Sequence, residues 1–284
     1  MHKSFGSNTD WVACLLMWGI GSVILGIFSL VVGDVVWHGL AGVSWEFLST
    51  APRDAGRAGG IIPILISTGL LLSICLVVAI PIGLGAAIFL AECTSEHHAF
   101  GRVVRISLDV LTAVPSIVFG LFGYAFFSHM LGMGFSLVSG GLTLACMVLP
   151  ILIRATEEGF RTVPNEYRLG AAALGLSRMT TLMTLLLPAA MPGLMVGVIL
   201  GTGRAMAETA ALIYTSGYVD RMPESLMDSG RALSLHIFDL SMNVPGGNAN
   251  AYASAVVLIG LLLVMNTLAS WVAGHWLKRR MFWA

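Results

Sequence analysis

Six long stretches of this sequence carry few or no charged side chains. They begin at Trp11, Gly59, Ile106, Gly132, Leu182 and Ala249. A helix of about 20 apolar residues crosses the hydrocarbon core of a bilayer, where backbone groups must be satisfied within the protein. Charged residues make up 11% of the chain and hydrophobic residues 57%, whereas a soluble domain carries about 25% charged residues. We therefore predict an all-α membrane protein with six transmembrane helices.

The predicted spans form a single transmembrane domain over residues 11–277. The spans cover residues 11–32, 60–91, 106–127, 132–153, 183–213 and 250–276. A polar segment, 1–10, precedes this domain, and a basic tail, 278–284, follows it. The first apolar run is too long for the core of a signal peptide, and no small-residue cleavage pattern follows it. We therefore expect the first run to be an uncleaved span.

The distribution of Lys and Arg predicts how the spans are oriented. Six crossings put both termini on one side, and that side holds ten of the 15 basic residues. Four lie on the other side, and Arg204 lies within a span. Cytoplasmic loops retain Lys and Arg. We therefore predict a multi-pass protein of the bacterial inner membrane with both termini in the cytoplasm.

Composition and missing motifs argue against several functions. The formal net charge is zero, which gives no global field that would attract nucleic acid. The two lysines, Lys3 and Lys278, stand in no phosphate-binding loop motif, so the chain does not handle ATP in that manner. The four cysteines contain no C-x-x-C pair, and no hydrolase motif is present. We expect no catalytic residues, no metal site, no cofactor and no nucleic-acid partner.

The stretch 154–182 is long for a connection between spans. Residues 170–174 favour a short helix, and the small side chains at Gly170 and Ala171 would let it pack closely against another protein. Charges that could orient such a contact come from Arg161, Arg168 and Arg178. The stretch therefore predicts a cytoplasmic coupling loop that docks on a partner. An amphipathic helix lying at the membrane surface fits the composition equally well.

Span five contains two charged residues, Arg204 and Glu208, in an otherwise apolar segment. A charge at the bilayer centre costs about 2.5–3.5 kcal/mol on insertion scales, so such residues face a protein interior or a watery path. In a continuous helix both side chains share one face with a glycine stripe, which consists of Gly193, Gly197 and Gly201. Such a stripe lets a neighbouring helix or a partner subunit approach closely. We assign the three glycines to a subunit interface.

Two interpretations of the charged residues are open. Arg204 and Glu208 could neutralise each other in a structural pair, although an apolar pair would pack at a lower desolvation cost. Alternatively, Arg204 could grip an oxyanion, because a guanidinium group forms bidentate hydrogen bonds. Glu208 could then accept a hydrogen bond from a protonated anion, or restrain Arg204 when the path is empty.

The loop before span five resembles the cytoplasmic signature of ABC importer permeases, E-A-A-x-x-x-G-x9-I-x-L-P. The matching stretches are Leu169-Gly-Ala171, Gly175 and, after nine intervening residues, Leu185-Leu-Leu-Pro188. The resemblance implies a group of ATPase-coupling residues, which are Leu169, Gly170, Ala171, Gly175, Leu187 and Pro188. Leu169 replaces the usual Glu and Gly170 the first Ala, so a polar contact that the family often offers its ATPase is missing.

Further segments resemble the phosphate-importer permeases, specifically the A-type subunit of the Pst system. They are Ala79-Ile-Pro-Ile-Gly83, Ala87-Ile-Phe-Leu-Ala-Glu92, Val114-Pro-Ser-Ile-Val-Phe-Gly-Leu-Phe-Gly123, Val163-Pro164 and Gly203-Arg-Ala-Met-Ala-Glu-Thr-Ala-Ala-Leu212. The first span matches only in general character. That family usually has Gly at the position of Ala207 and Pro at that of Ala211. Because Ala favours a helix more than either, we expect span five to be stiffer near Arg204.

The resemblance implies a type I importer fold with a cytoplasmic coupling helix at about residues 169–175. It implies several partners, which are a homologous C-type permease subunit, two cytoplasmic ATPase subunits, a periplasmic or lipid-anchored phosphate-binding protein and the membrane lipid. It also places Arg204, Glu208 and Thr209 along the substrate pathway. The implied function is that of the permease subunit of an ATP-driven phosphate importer.

Three alternatives to phosphate import are open. An importer of molybdate, sulfate or another oxyanion would keep the architecture, because a separate binding protein sets the cargo first. A proton-coupled secondary transporter would use Glu208 as its proton site, but that class predicts internal repeats with interrupted helices, and the sequence shows no convincing duplication. An intramembrane enzyme would need a nucleophile and a base, and no such pair is evident.

Overall fold

The computed structural model describes residues 8–94 and 99–281. The helices of this part are α1 (Asn8–Gly39), α2 (Trp45–Ser49), α3 (Ile62–Ile88), α4 (Ala99–Ala113), α5 (Ser116–Gly123), α6 (Leu137–Arg161), α7 (Asn165–Ala173), α8 (Arg178–Thr181), α9 (Leu187–Ala207), α10 (Ala210–Ile213), α11 (Leu233–Met242) and α12 (Asn248–Met281). Turns of π-helix continue α3, α5 and α8 at Phe89–Cys93, Tyr124–Met130 and Leu182–Leu186. Parts of the predicted segments 1–10 and 278–284 lie outside the described residues.

A short antiparallel hairpin precedes α3. It joins β1 (Pro52–Arg53) and β2 (Ala58–Gly59), with Pro52 opposite Gly59 and Arg53 opposite Ala58. Single 3-10 turns lie at Leu40–Gly42 and Asp54–Gly56. Everything else that is regular in the described part of the chain is helical, as the composition predicts.

Five helices of the described chain are long and apolar enough to cross a membrane. They are Trp11–Gly42, Ile62–Cys93, Leu137–Arg161, Arg178–Ala207 and Asn248–Trp271. A sixth crossing results if α4 and the helix from Ser116 to Met130 are counted as one bent pair. The architecture is therefore the multi-spanning, all-α one that the sequence predicts.

The third span differs from the continuous helix that the sequence predicted over 106–127. The chain bends by 100° between α4 and the helix Ser116–Met130. Pro115 lies at this bend, and proline both lacks an N–H donor and disfavours a helical conformation in the residue before it. The predicted continuous span is wrong, because α4 leaves the direction of the crossing before the apolar helix begins.

Helix α4 is amphipathic rather than uniformly apolar. One of its faces carries exposed apolar side chains, which are Phe100, Val103, Ile106 and Val110. Another face carries Arg105, whose Nε donates a hydrogen bond to Oε1 of Glu157 in α6 at 2.6 Å. A helix with one apolar and one charged face is suited to the boundary between lipid and water.

Helix α6 forms the centre of the bundle. In its most apolar window 67% of the residues are buried, against 0% in that of α1. It approaches α3 closely at Gly141, where an added Cβ would lie 2.6 Å from the side chain of Ile74. Small residues at such crossings allow helices to pack in a membrane. The main apolar cluster joins α3, α6 and α9, and its α6 members include Leu144, Met147, Val148 and Leu152.

Helix α1 has few contacts with the rest of the described chain. Its side chains from Trp11 to Val31 are all exposed. Near its end, Gly39 packs against the backbone carbonyl of Tyr252 in α12, and the hydroxyl of Tyr252 donates to Asp34 at 3.3 Å. A helix that is apolar all round is stable in a membrane or against another protein.

The two ends of the bundle differ in charge. What we call the arginine-rich end comprises α4, α7, α8 and the C-terminal ends of α3 and α6, and its arginines are Arg102, Arg105, Arg154, Arg161, Arg168 and Arg178. What we call the opposite end comprises residues 40–61 and 208–247. There, Thr68 Oγ1 accepts the N–H of Leu233 at 2.9 Å, and Asn250 donates to the carbonyl of Gly56 at 2.8 Å. These bonds join α3, α11, α12 and the hairpin.

Candidate functional site

Span five is interrupted at Glu208. Helix α9 ends at Ala207, Glu208 has an extended backbone with φ −75° and ψ 128°, and α10 begins at Ala210. The Oε1 atom of Glu208 accepts the backbone N–H of Ala211 at 3.3 Å, so the carboxylate caps the first turn of α10. The predicted continuous span to 213 and the predicted stiffening near Arg204 are therefore wrong, because this carboxylate satisfies a backbone donor at a new helix start.

Two neighbouring helices hold the interruption in place. Ser234 of α11 donates its hydroxyl to the backbone carbonyl of Glu208 at 2.5 Å. On another side, an added Cβ at Gly120 of α5 would lie 2.8 Å from the Cα of Ala211, so α5 passes close to α10. Glu208 itself is only 9% exposed. The interruption is a packed part of the fold and not a frayed helix end.

Arg204 and Glu208 do not neutralise each other. Arg204 is half-buried, and no residue in 8–94 or 99–281 forms an ion pair with it. Because the helix stops before Glu208, the spacing of four no longer places the two side chains on one face. Thr209 is half-buried within the interruption, and its carbonyl accepts the N–H of Ile213 at 3.2 Å. Arg204 therefore retains a guanidinium group that a ligand could bind.

The glycine stripe of span five packs against α6 of the same chain. An added Cβ at Gly193 would lie 2.5 Å from the Cα of Gly159, and one at Gly201 would lie 2.5 Å from Val148. Between them, Gly197 faces Ala155. The subunit-interface assignment of Gly193, Gly197 and Gly201 is wrong for this face, because α6 already occupies it. The sequence signal that we missed is the matching pair of small residues in span four, Ala155 and Gly159.

Helix α7 carries the first part of the predicted coupling signature. Leu169 is 65% exposed, and no heavy atom lies within 4 Å of a Cβ added at Gly170. Ala171, in contrast, is 3% exposed and faces the protein. The helix thus has one face on the bundle and one open face with an apolar side chain. The helix starts at Asn165 and α6 runs to Arg161, so the predicted coupling loop 154–182 begins and ends within helices.

Gly175 ends α7 in a left-handed conformation, with φ +69°. Its N–H donates to the carbonyl of Ala172, and the N–H of Leu176 donates to that of Ala171, both at 3.0 Å. These two bonds form a Schellman motif, which requires a residue that tolerates positive φ. The glycine of the signature therefore has a local physical reason, since it stops α7 and redirects the chain into α8.

Leu187 and Pro188, the last two signature residues, lie within the helical span Arg178–Ala207 and not on α7. Leu187 packs against a buried cluster that contains Phe160, Leu186 and Ala190. These two residues therefore support the root of span five. The coupling role of the whole signature stays a prediction.

Arg168 ties α7 to the end of α3. Its Nη2 donates to Oε1 of Glu92 at 2.6 Å and its Nε to Oε2 at 3.1 Å, which makes the pair bidentate. Arg168 also donates to the backbone carbonyls of Phe160 at 3.1 Å and Val163 at 3.0 Å. The hydrogen bond to Glu92 raises the pKa of Arg168 above its ordinary value. The sequence did not reveal this pair, because its members are 76 positions apart.

Cation chemistry does not distinguish any site in the described residues. Nowhere in 8–94 and 99–281 do three or more His, Cys, Asp or Glu side chains come together in a group that could hold a metal ion. The chemical features of this chain are therefore the half-buried Arg204, the capped interruption at Glu208, and the exposed helix α7.

Comparison with known protein families finds one that covers most of the chain. Residues 79–282 match the family described as binding-protein-dependent transport system inner membrane component. The matched region includes the interruption in span five, helix α7 and the Arg168–Glu92 pair. Helix α1 and the hairpin lie before it.

Individual relatives cover the chain more completely. The probable ABC transporter permease protein YqgI of Bacillus subtilis is 30% identical over 268 residues, which are 89% of this chain and 90% of that protein. The phosphate transport system permease protein PstA 2 of Mycobacterium bovis is 31% identical over 273 residues, which are 95% of this chain and 88% of that protein.

A solved structure shows the same fold at low sequence identity. A chain of a bacterial ABC transporter involved in the import of the acidic polysaccharide alginate superimposes with a TM-score of 0.62 at 12% identity. The superposition covers 94% of this chain and 96% of that one. At this identity the likeness concerns the fold alone.

Proposed function

This chain belongs to the family of binding-protein-dependent transport system inner membrane components, and from that membership we propose that it is the permease subunit of an ATP-driven importer of inorganic phosphate. As an ABC importer permease it is not an enzyme, because ATP is hydrolysed by a separate subunit. Permeases of this kind work with a paired permease, ATPase subunits and a substrate-binding protein. Phosphate as the solute is the step that goes beyond the family.

The observation that carries the proposal is Arg204, a half-buried cation that no described residue neutralises. A guanidinium group in such surroundings is stabilised by an anion, and its planar fork matches two oxygens of a phosphate. At neutral pH phosphate keeps at least one hydroxyl, which could donate to the carboxylate of Glu208. Sulfate and molybdate have no proton to donate. An arginine close to a carboxylate in the chain therefore favours a protonated oxyanion.

The names of relatives support the same solute. The PstA 2 protein of Mycobacterium bovis is described as a phosphate transport system permease, and its similarity extends over 95% of this chain. YqgI of Bacillus subtilis is described only as a probable ABC transporter permease. These names agree with phosphate import but also with a permease whose binding protein selects another oxyanion.

We further propose an orientation and a partner for helix α7. The arginine-rich end lies in the cytoplasm, because cytoplasmic loops retain basic residues. Its exposed Leu169 and Leu174, at 65% and 78% exposure, then dock in a groove of an ATPase subunit. A homologous C-type permease completes the pathway, and a periplasmic or lipid-anchored phosphate-binding protein delivers the solute to the opposite end.

Uptake of radioactive phosphate by cells that carry the complete complex tests the role of Arg204. Arg204→Ala removes the guanidinium, so uptake should fall about 100-fold or more, since hydrogen bonds to charged groups are strong. Arg204→Lys keeps the charge but not the fork, and it should lie between. The matched control is Arg221→Ala, which removes an exposed arginine at the opposite end and should leave uptake unchanged.

The amount of each variant in the membrane separates transport from folding. Normal uptake by Arg204→Ala, at normal membrane levels, would remove Arg204 from the pathway. A second measurement adds excess sulfate or molybdate to the wild-type assay, and neither should inhibit. If either competes as well as unlabelled phosphate, the solute is a different oxyanion while the permease assignment stands.

A further inference from the structure

A cavity of about 610 Å³ lies beside helix α7 at the arginine-rich end. It separates α7 from the end of α3 and the start of span five, and its lining includes Ile88, Glu92, Arg168, Leu176, Met179 and Leu182. Atoms that face a cavity lack partners across it, so side-chain packing transmits little force there. A displacement of α7 reaches the bundle through the backbone or through a side chain that bridges the gap.

The backbone connects α7 to two of its three neighbours. Residues 162–164 join α7 to α6, and residues 174–177 join it to α8 and thus to span five. Helix α3 has no such connection, because its turn Phe89–Cys93 leads toward α4. What joins α3 to α7 across the cavity is the bidentate pair of Glu92 and Arg168, whose side chains are 18% and 28% exposed.

The segment that carries Glu92 is itself unusual. It is a turn of π-helix, Phe89–Cys93, at the end of a long spanning helix. Turns of π-helix inside helices often mark functional sites, because their hydrogen-bond pattern departs from that of the α-helix. Arg105 of α4 donates to the carbonyl of Leu90 in the same turn at 2.9 Å. Two arginines from different helices therefore hold this turn, Arg105 from α4 and Arg168 from α7.

We propose that the Arg168–Glu92 pair is a positioning link, which transmits displacement of α7 to α3 when the ATPase subunits close. This proposal rests on the proposed docking of α7 on an ATPase. The backbone moves α6 and span five with α7, and the pair makes α3 follow, so that the helices on both sides of α6 move together. A bidentate pair suits this role, since two parallel hydrogen bonds fix orientation as well as distance.

Two single variants and their combination test the link. Glu92→Gln keeps the shape of the side chain and removes its charge, and Arg168→Met removes the guanidinium and keeps an unbranched chain. In complexes purified with their ATPase and binding protein, each should lower phosphate uptake about tenfold per ATP hydrolysed, as expected for losing a hydrogen bond between charged groups. The double variant should be no worse than either single one, because all three remove the same link. Arg168→Lys should restore part of the uptake.

The natural residue Cys93 supplies a readout that does not depend on the solute. It follows Glu92, is exposed and lines the cavity. In a Cys14→Ser background, which removes another exposed thiol, labelling of Cys93 by a hydrophilic maleimide is compared without nucleotide and after trapping with ATP and vanadate. The wild-type rate should change on trapping, whereas the rates in Glu92→Gln and Arg168→Met should not.

A matched control removes a neighbouring carboxylate that has no such role. Glu158 is exposed near the end of α6, so Glu158→Gln should behave like the wild type in both assays. The link is rejected if Cys93 still responds to trapping in both single variants, or if the double variant is as defective as the sum of the two. A wild-type complex that takes up no phosphate but shows the Cys93 response would reject the proposed solute and keep the link.

Discussion

Arginines in two regions of this permease are in opposite situations. At the arginine-rich end, Arg105, Arg154 and Arg161 all form ion pairs with Glu157, which is 1% exposed. In span five, Arg204 has no ion pair within the described residues, although Glu208 lies four positions further on. Paired charges that are removed from water can hold helices together, whereas an unpaired one costs free energy. The difference indicates that the first region serves the structure and the second serves a ligand.

The largest effect should come from removing the shared carboxylate at the arginine-rich end. Glu157→Gln leaves three guanidinium groups close together without their common partner, and it should lower the free energy of unfolding by about 3 kcal/mol. The thermal unfolding midpoint of the purified complex in detergent measures this loss. Glu158→Gln, one position further on and exposed, is the control and should unfold like the wild type.

A wild-type midpoint for Glu157→Gln would contradict the structural role of this ion-pair cluster. The distances make that outcome unexpected, because Glu157 lies 2.6 Å from Arg105 of α4 and 3.0 Å from Arg161. The cluster is the contact by which the bent helix α4 is held on α6. Sequence reasoning treated Glu157 as part of a surface salt bridge, whereas the structure buries it.

A smaller effect should appear at the opposite end, where a third arginine is paired. Arg231 is 8% exposed, contacts Asp239 at 3.0 Å and donates toward Nδ1 of His236 at 3.4 Å. Burial, reinforced by the nearby Arg231, lowers the pKa of His236 from 6.5 to about 4. His236 is therefore neutral in the folded protein at neutral pH. It belongs to a paired network that a proton would disturb.

The sign of the pH effect follows from this lowered pKa. Between pH 6.5 and about 4 the unfolded chain binds a proton at His236 and the folded chain does not, so stability falls as the pH falls through this window. From pH 7 to 5.5 the expected loss is about 1 kcal/mol. Unfolding midpoints at the two pH values should show it for the wild type, and His236→Gln should reduce the difference. An equal difference in both proteins would assign the effect to other groups.

The smallest effect on stability should come from Arg204. Arg204→Met removes a cation that has no ion pair in the described chain, so the free energy of unfolding should change by no more than about 0.5 kcal/mol, or rise slightly. The unfolding midpoint without phosphate measures this, and uptake by the same variant should still be lost. A large destabilisation would show that Arg204 is a structural residue, and it would remove the contrast with the arginine-rich end.

Features that depend on composition and local chemistry could be predicted from the sequence. The apolar stretches gave the spanning helices, and Gly175 was correctly placed at a turn that a signature glycine requires. The bend after α4 was also accessible, because Pro115 follows a segment with Arg102, Arg105 and Asp109. We overlooked it because hydropathy averages over charges near the end of an apolar run.

Features that depend on distant contacts could not be predicted. The periodicity argument assumed that span five is a continuous helix, and it could not foresee that Glu208 would cap a new helix at Ala211. It likewise gave the glycine stripe a face without saying which helix would cover that face. The Arg168–Glu92 pair joins residues 76 positions apart, and nothing in the local sequence of either one indicates the other.

The nearly isolated helix α1 has a consequence for how tolerant this chain is to change. Its surroundings are fluid lipid or a partner that the chain itself does not supply, so no pocket of fixed shape selects each side chain from Trp11 to Val31. Selection there acts on average oiliness and on length, and many different apolar sequences would serve. A helix of this kind can drift freely over evolutionary time while α6, which is enclosed on most sides, cannot.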